Sequence, residues 1–487
     1  MKTVLGTIGI FSLALSIGRL AGLLRETILS SRLGTSSTAD SIVLMLTLPD
    51  FLVALVLSGG ASAALVPAFR RVDNEKRKSL YTGAVILAAL TGTALAAVIA
   101  TTPLFWLGLL AQSAEFNVQS EFVSVFRLSL IAIPIAAIIA ISTAYLTAVG
   151  RFSTSAVGTI LFNLIIAGFL ATMDIPAALK SFAVCLVAAI GFRLLVQLSQ
   201  MPETFPPKWP AFSVDKALLG RFCQGVIAHG CIVAVPIFYR SMHSSLGEGS
   251  LVQFNFALRI FELPNAILLA PIVTIFLTLL ADAYEKNNET FQQKVETVFR
   301  VAIAGGTGAA AFIAINASGI VNLIFGYGAM TQTMQNSVVE LVQILMASLP
   351  FAAIFQVGAS ALNAKNETNI FLRNGVTAFA LSIFAHYLLS GQFWSSGAGL
   401  FAFFAIGAVL NILSIMRPPE IGKLGLSCLP FLLKLAVVMA LTFAAYEYFE
   451  PLTLFGFFAL CAAQGIALIL IAIKEIRLLQ SLRMQRL

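Results

Sequence analysis

The chain has 487 residues, of which 59% are apolar and 11% charged, with a formal charge of +8 at neutral pH. An ordinary soluble domain carries roughly 25% charged residues, so this composition excludes a soluble globular protein, and the apolar runs leave no length for a separate catalytic domain. The basic excess sits in short breaks between those runs rather than on one folded face, which points to membrane topology and away from a nucleic-acid partner.

In chain order, apolar runs predict membrane spans near 3–31, 39–69, 80–108, 121–149, 153–173, 177–199, 216–240, 250–281, 296–325, 332–362, 370–390, 395–416, 424–448 and 452–474, about fourteen in all. The first run continues past Lys2 through Ser16, Gly18 and Arg19, too long and wrongly flanked for a cleaved signal peptide, and is taken as a first span. Several runs exceed the ~20 residues that cross the hydrocarbon, which predicts tilt, kinks or extension into water. Pro49, Pro134, Pro236, Pro264, Pro271 and Pro350 are the expected kinks. Cys185, Cys223, Cys231, Cys428 and Cys461 lie singly in apolar segments, without CxxC or metal-ligand spacing, and read as small core residues.

The breaks alternate in charge. One set carries Arg70, Arg71, Lys76, Arg77 and Lys78, then Arg151, Lys208 and Lys216, Lys286 and Lys294, Lys365 and Arg373, Arg417 and Lys423, and a basic tail. The other set contains a single basic residue, Arg32. The positive-inside rule then places both termini and the basic breaks in the cytoplasm. A weak internal repeat is also present: Arg25, Leu33-Gly34 and Leu48-Pro49 recur in order as Arg240, Leu246-Gly247 and Leu263-Pro264, at offsets of 215, 213 and 215. Spans 1 and 2 therefore correspond to spans 7 and 8, the pattern of a transporter built from two related halves around one site.

Charges inside apolar runs mark that site, because an arginine at bilayer depth costs ~2.5 to 3.5 kcal/mol or more and needs partners, water or a ligand. Arg19 and Arg25 lie on span 1, about 120° apart on a helix. Arg259 and Glu262 form an i, i+3 pair on span 8, and Asp40 and Asp50 flank the apolar core of span 2. The planar arginine fork suits phosphate, so an anionic headgroup such as a diphosphate is the expected ligand, with Glu26, Asp40 and Glu262 as alternative partners for the arginines. Arg127, Arg193, Arg240 and Lys434 are read as interfacial or structural. His229, His243 and His386 are scattered, without metal or triad spacing, and no catalytic or metal site is expected. The absence of a P-loop leaves an ion gradient, the membrane potential or consumption of the product as energy source.

From Arg19 to Phe69 the sequence RLAGLLRETILSSRLGTSSTADSIVLMLTLPDFLVALVLSGGASAALVPAF resembles the start of the MurJ/MviN lipid II flippases. YLTAVGRFSTSAVGTILFN, FALRIFELPNAILLAPI and LNAKNETN resemble later parts of that family in register. The resemblance implies an all-α polytopic fold with two pseudo-symmetric six-helix lobes, here 1–199 and 216–416. A cytoplasmic linker at 200–215 would join them, and 417–487 would hold two further helices that form a lipid-tail groove. It implies alternating-access transfer of undecaprenyl-diphosphate-linked peptidoglycan precursor across a bacterial inner membrane. Arg19, Arg25 and Arg259 then bind substrate, while Asp40, Asp50, Glu262 and Glu26 line or gate the cavity. Two departures stand out: Leu48-Pro49-Asp50-Phe51-Leu52-Val53-Ala54 lacks the family's span 2 arginines and carries an acid in place of Asn, and Gly59 stands where the family has an acid. They keep open an exporter of O-antigen or exopolysaccharide repeat units. A membrane glycosyltransferase is disfavoured because it needs a sizeable extramembrane loop bearing carboxylates or histidines.

Overall fold

The computed structural model describes residues 2–112, 120–174, 179–201, 216–265, 270–365, 367–448, 454–475 and 477–478. The regular elements among them are all helical. In order they are α1 (Lys2–Leu33), α2 (Ser37–Leu55), a π-helical segment (Val56–Leu65), α3 (Val66–Arg71), α4 (Asn74–Thr101), α5 (Pro103–Leu110), α6 (Ser120–Ser129), α7 (Ala132–Ala148), α8 (Phe152–Thr172) and α9 (Leu179–Ser199). There follow α10 (Lys216–His243), a short 3-10 turn, α11 (Ser250–Pro264), α12 (Ala270–Lys286), α13 (Asn288–Ile315), α14 (Ala317–Phe325), α15 (Gln332–Ala364), α16 (Thr368–Leu388), α17 (Ser395–Ile415), α18 (Pro418–Tyr448) and α19 (Leu454–Ile471). Where its residues are described, each apolar run falls on helix, and ten of the described helices are long and apolar enough to cross a membrane.

The polar breaks supply the helix starts. Ser36, Asp73 and Asn287 each accept a backbone N–H three residues on, at 3.3, 2.9 and 2.7 Å, and so satisfy one of the first-turn donors of α2, α4 and α13. Several long runs are subdivided. The 80–108 run breaks at Thr102, because Pro103 has no N–H with which to continue the ladder. The 121–149 run breaks at Leu130 and Ile131, whose N–H groups take i−3 carbonyls at 3.2 and 3.3 Å. Leu130 is the residue whose carbonyl the Pro134 ring would strike, so the expected kink lies one turn ahead of the proline. Pro49, Pro236 and Pro350 sit inside α2, α10 and α15. The 250–281 run holds α11 and α12, with 266–269 outside the described residues.

By contacts the chain divides into one unit of residues 1–256 with 327–334 and another of 257–326 with 335–487. Of the expected linker at 200–215, residues 202–215 lie outside the described set. In the first unit α7 is the central element, buried from Ala132 to Leu146 on most of its circumference and packed by α2, α4, α9 and the π-helical segment. Gly92 lets α4 approach Pro134, and Gly18 and Gly22 bring α1 onto Thr159 and Asn163 of α8, the small-residue spacing that packs helices without a hydrophobic drive. Phe69, Tyr81 and Tyr145 cluster with ring centroids 5.6 and 4.9 Å apart, and the Tyr81 hydroxyl lies 2.9 Å from that of Ser142.

In the second unit the buried Asn411 joins three helices: it accepts from Asn374 Nδ2 at 3.0 Å and donates to the Phe355 carbonyl at 3.2 Å. The last helices are tied to α13 by Ala304, Ala311, Phe431 and Leu435, and by an Arg300–Glu475 ion pair of 2.8 Å. The cysteines are less uniform than expected: Cys428 is buried and Cys185 and Cys461 half-buried, but Cys223 is exposed, which corrects its reading as a core residue. The Cys231 side chain lies outside the described set. Asn411→Ala is expected to destabilise the detergent-solubilised protein by about 1 to 2 kcal/mol, since it removes two interhelical hydrogen bonds; thermal unfolding followed by intrinsic fluorescence measures it, and an unchanged midpoint refutes the assignment.

Candidate functional site

Four glycines with positive φ shape one end of the first unit: Gly34 (58°), Gly247 (120°), Gly249 (77°) and Gly328 (64°). They let three turns meet by backbone alone. Ala329 N–H donates to the Ser31 carbonyl at 2.8 Å, and a Cβ at Gly249 or Gly328 would come within about 2 Å of the Thr35 or Ser31 carbonyl oxygen. Only glycine satisfies both the φ and the space at these two positions.

Two carboxylates then cross-link the helices that leave those turns. Asp40, buried in the first turn of α2, accepts the Gly249 N–H and the Val252 N–H, each at 2.8 Å, at the start of α11. Reciprocally, Glu248, just ahead of α11, accepts the Ser37 N–H at the start of α2 at 2.9 Å. Each helix N-terminus, a site of positive potential and unpaired donors, is thus capped by an acid from the other. The α5 end joins the same cluster, with Gln112 N–H donating to Ser244 Oγ at 2.6 Å and Ser241 Oγ to the Leu109 carbonyl at 2.6 Å.

The sequence repeat has a structural counterpart. Arg25 and Arg240 are both buried, Gly34 and Gly247 both turn the chain with positive φ, and Pro49 and Pro264 both lie in the following helix. At the same offset Asp40 corresponds to Asn255, and Arg240 donates to Asn255 Oδ1 at 3.0 Å and to Thr47 Oγ1, bridging α10, α11 and α2. Arg25 instead donates from Nη2 to Glu26 Oε1 at 2.8 Å, with both side chains buried. Its Nε has no hydrogen-bond partner among the described residues.

Of the other expected site residues, Arg19 is exposed, and Asp50 is half-buried on α2. Arg259 and Glu262 belong to the second unit, where they pair at 3.1 Å in partial exposure. Nearby on the chain, Gln356 Nε2 donates to Asn265 Oδ1 at 2.8 Å. Sequence reasoning missed Glu248; Arg193 and Arg240, read as interfacial or structural, are both only 6% exposed, which fits the structural alternative. The signals were present in the Gly-Glu-Gly stretch ahead of α11, in the position of Arg240 as repeat mate of Arg25, and in an arginine well inside the run that became α9. No group of three or more His, Cys, Asp or Glu among the described residues is placed to hold a metal.

The family model described as "Lipid II flippase MurJ" matches residues 29–464. The chain belongs to that family. Among its relatives, the "Probable lipid II flippase MurJ" of Thermotoga maritima is 23% identical over 416 residues, 85% of each chain. The "Lipid II flippase MurJ" of Burkholderia cenocepacia is 22% identical over 82% of this chain and 80% of its own. Among solved structures, "Lipid II flippase MurJ, inward closed conformation" superposes with a TM-score of 0.77 at 16% identity, covering 96% of this chain and 99% of the other. A multidrug resistance MATE family transporter of the MOP superfamily, in an inward-facing conformation, gives 0.66 at 13% identity over 85% and 98%. The fold is therefore that of this transporter superfamily, and the resemblance read from Arg19 to Phe69 holds along most of the chain.

Asp40→Asn keeps the side-chain shape but offers one carbonyl oxygen and an NH₂ where two backbone donors need acceptors. The expected loss is about 1 to 2 kcal/mol of local stability. Hydrogen–deuterium exchange should show faster exchange over 249–256; protection equal to wild type would mean that the caps do not hold this end closed.

Proposed function

We propose that this chain is a lipid II flippase, carrying undecaprenyl-diphosphate-linked peptidoglycan precursor from the cytoplasmic to the periplasmic leaflet of a bacterial inner membrane by alternating access. Membership of the family over residues 29–464 carries the reading and favours lipid II over O-antigen or exopolysaccharide repeat units. The arginine chemistry agrees with it: a diphosphate offers several acceptor oxygens to forked guanidinium donors, in a setting where low dielectric strengthens each contact.

The basic breaks lie on the cytoplasmic side in this reading, with both termini. The turns at 34–36, 247–249 and 327–331 are then periplasmic, and the Asp40 and Glu248 caps form a closed outer gate. Substrate enters from the cytoplasmic leaflet, its diphosphate meeting Arg19, Arg25 and Arg259, while Glu26 and Glu262 hold the last two arginines in the unloaded state. Asp40 acts in gating, and Asp50 and Glu262 in the cavity wall. The helices from 417 onward offer the polyprenyl tail an apolar face, with exposed Leu426, Leu433, Val437 and Leu441 along α18. No covalent step is required, so the protein works as a transporter.

The test is rescue of a strain depleted of its own lipid II flippase. Wild type should restore growth and shape, and Arg19→Ala or Arg259→Ala should abolish rescue while the protein reaches the membrane at normal levels. Failure of wild type to restore growth, or full rescue by both variants, refutes the substrate or the site respectively.

A further inference from the structure

Beneath the two carboxylate caps a second cross-link joins the same helices, all within the first unit. Arg240, buried in the last turn of α10, reaches two elements at once. Its Nη1 donates to Asn255 Oδ1 of α11 at 3.0 Å, and its Nη2 donates to Thr47 Oγ1 of α2. Both acceptors are buried, and the Thr47 hydroxyl gives its own proton to the Val43 carbonyl at 2.6 Å, which leaves its oxygen to accept from the arginine. Depth separates this bridge from the caps. Asp40 acts from the first turn of α2 on the first turn of α11. Thr47 instead follows Ser37, the first residue of α2, by about 15 Å along the helix axis, and Asn255 follows Ser250 of α11 by about 7.5 Å.

A guanidinium spans two helices only while they stay together. If α2 and α11 part, as opening of this end requires, Arg240 loses Thr47, Asn255 or both, and a fork stripped of acceptors at this depth is costly. The two oxygens it holds are an amide and a hydroxyl on separate elements. A diphosphate carries several anionic oxygens on one group, spaced to take the two parallel donors of a planar fork. It can therefore replace both acceptors without bringing the helices back together.

We propose that Arg240 is a further diphosphate-binding arginine, engaged when the outer gate opens. While that end is closed it latches α10 to α2 and α11; as the helices part it exchanges Thr47 and Asn255 for phosphate oxygens. The proposal rests on the reading of the protein as a carrier of polyprenyl-diphosphate-linked saccharides. It adds a point at which bound substrate lowers the cost of opening, so that an empty carrier stays shut at this end.

Hydrogen–deuterium exchange over 37–47 and 250–256 reads the latch in purified full-length protein in detergent, without ligand and with undecaprenyl diphosphate, whose binding is titrated separately. In wild type the ligand should speed exchange by about fivefold. Thr47→Val keeps the side-chain shape and removes one acceptor; it should speed ligand-free exchange by about fivefold and still respond to undecaprenyl diphosphate. Arg240→Met should match the ligand-free rate of Thr47→Val and gain nothing from the ligand, and Arg240→Lys, which keeps the charge but not the fork, should behave like it. Asn255→Asp should act in the opposite direction, because a carboxylate holds the fork in place: exchange at or below the wild-type rate, and little response to the ligand. Wild-type rates in both ligand-free Thr47→Val and Arg240→Met would overturn the latch. A ligand response in Arg240→Met equal to that of wild type, or binding by wild type with no rise in exchange, would overturn the exchange of partners. Failure of wild type to bind undecaprenyl diphosphate at all would instead overturn the carrier reading, and the proposal with it.

Discussion

The carboxylate of Asp40 at the start of α11, answered by Glu248 at the start of α2, is the contact on which the closed end of the first unit depends. Helix N-termini attract negative charge and leave backbone donors unpaired, so two that approach one another repel unless acids intervene. Here each helix takes its acid from the vicinity of the other's N-terminus, and neither cap survives if the helices part. Charge-assisted caps contribute about 1 kcal/mol each, and moving a two-state equilibrium from 1:99 to 99:1 takes about 5.5 kcal/mol. A closure built from a few such caps, plus turns joined through glycine backbone, lies within the range that ligand binding can reverse.

The same constraint explains why the two halves of the repeat are not chemically identical. Asp40 and Asn255 occupy equivalent positions, but the acid serves a helix terminus while the amide accepts from Arg240. Arg25, the counterpart of Arg240, is left with its sequence neighbour Glu26. Arg240 thus donates to an amide and a hydroxyl oxygen, and Arg25 to a carboxylate. The duplication preserved the backbone frame, set by Gly34 and Gly247, and let the polar chemistry diverge.

Much of this was legible in the sequence because membrane insertion leaves a strong imprint: apolar length sets the helices, and the breaks carry caps and glycines in recognisable order. The breaks inside long runs were partly legible, since Pro103 and Pro134 have mechanical effects on the helix ladder. Other features were not. The π-helical segment from Val56 to Leu65 follows from its packing on α10, where Gly60 sits against Phe222 and Val226, and no local pattern announces it. Glu248 looked like an ordinary loop acid because its partner, the Ser37 N–H, is 211 positions away. Arg193 and Arg240 were left between interfacial and structural because span ends were placed by composition, and only packing shows that both side chains are covered.

The burial of Arg25 bears on the order in which an anion would be bound. Glu26 is its immediate neighbour on α1, and neither can leave the other by a helix movement, since both ride on the same backbone. A diphosphate approaching Arg25 therefore meets a neutral pair, and the gain must come from side-chain rearrangement or from the unpartnered Nε. Arg19 is different: it is exposed on the same helix. Under the proposed function, long-range attraction would fall to Arg19, and Arg25 would contribute at short range, once phosphate oxygens compete with Glu26 for the fork. The two arginines proposed to bind substrate would then act in sequence rather than as equal hooks, with the carboxylate beside Arg25 setting how strongly an anion must bind before the second one engages.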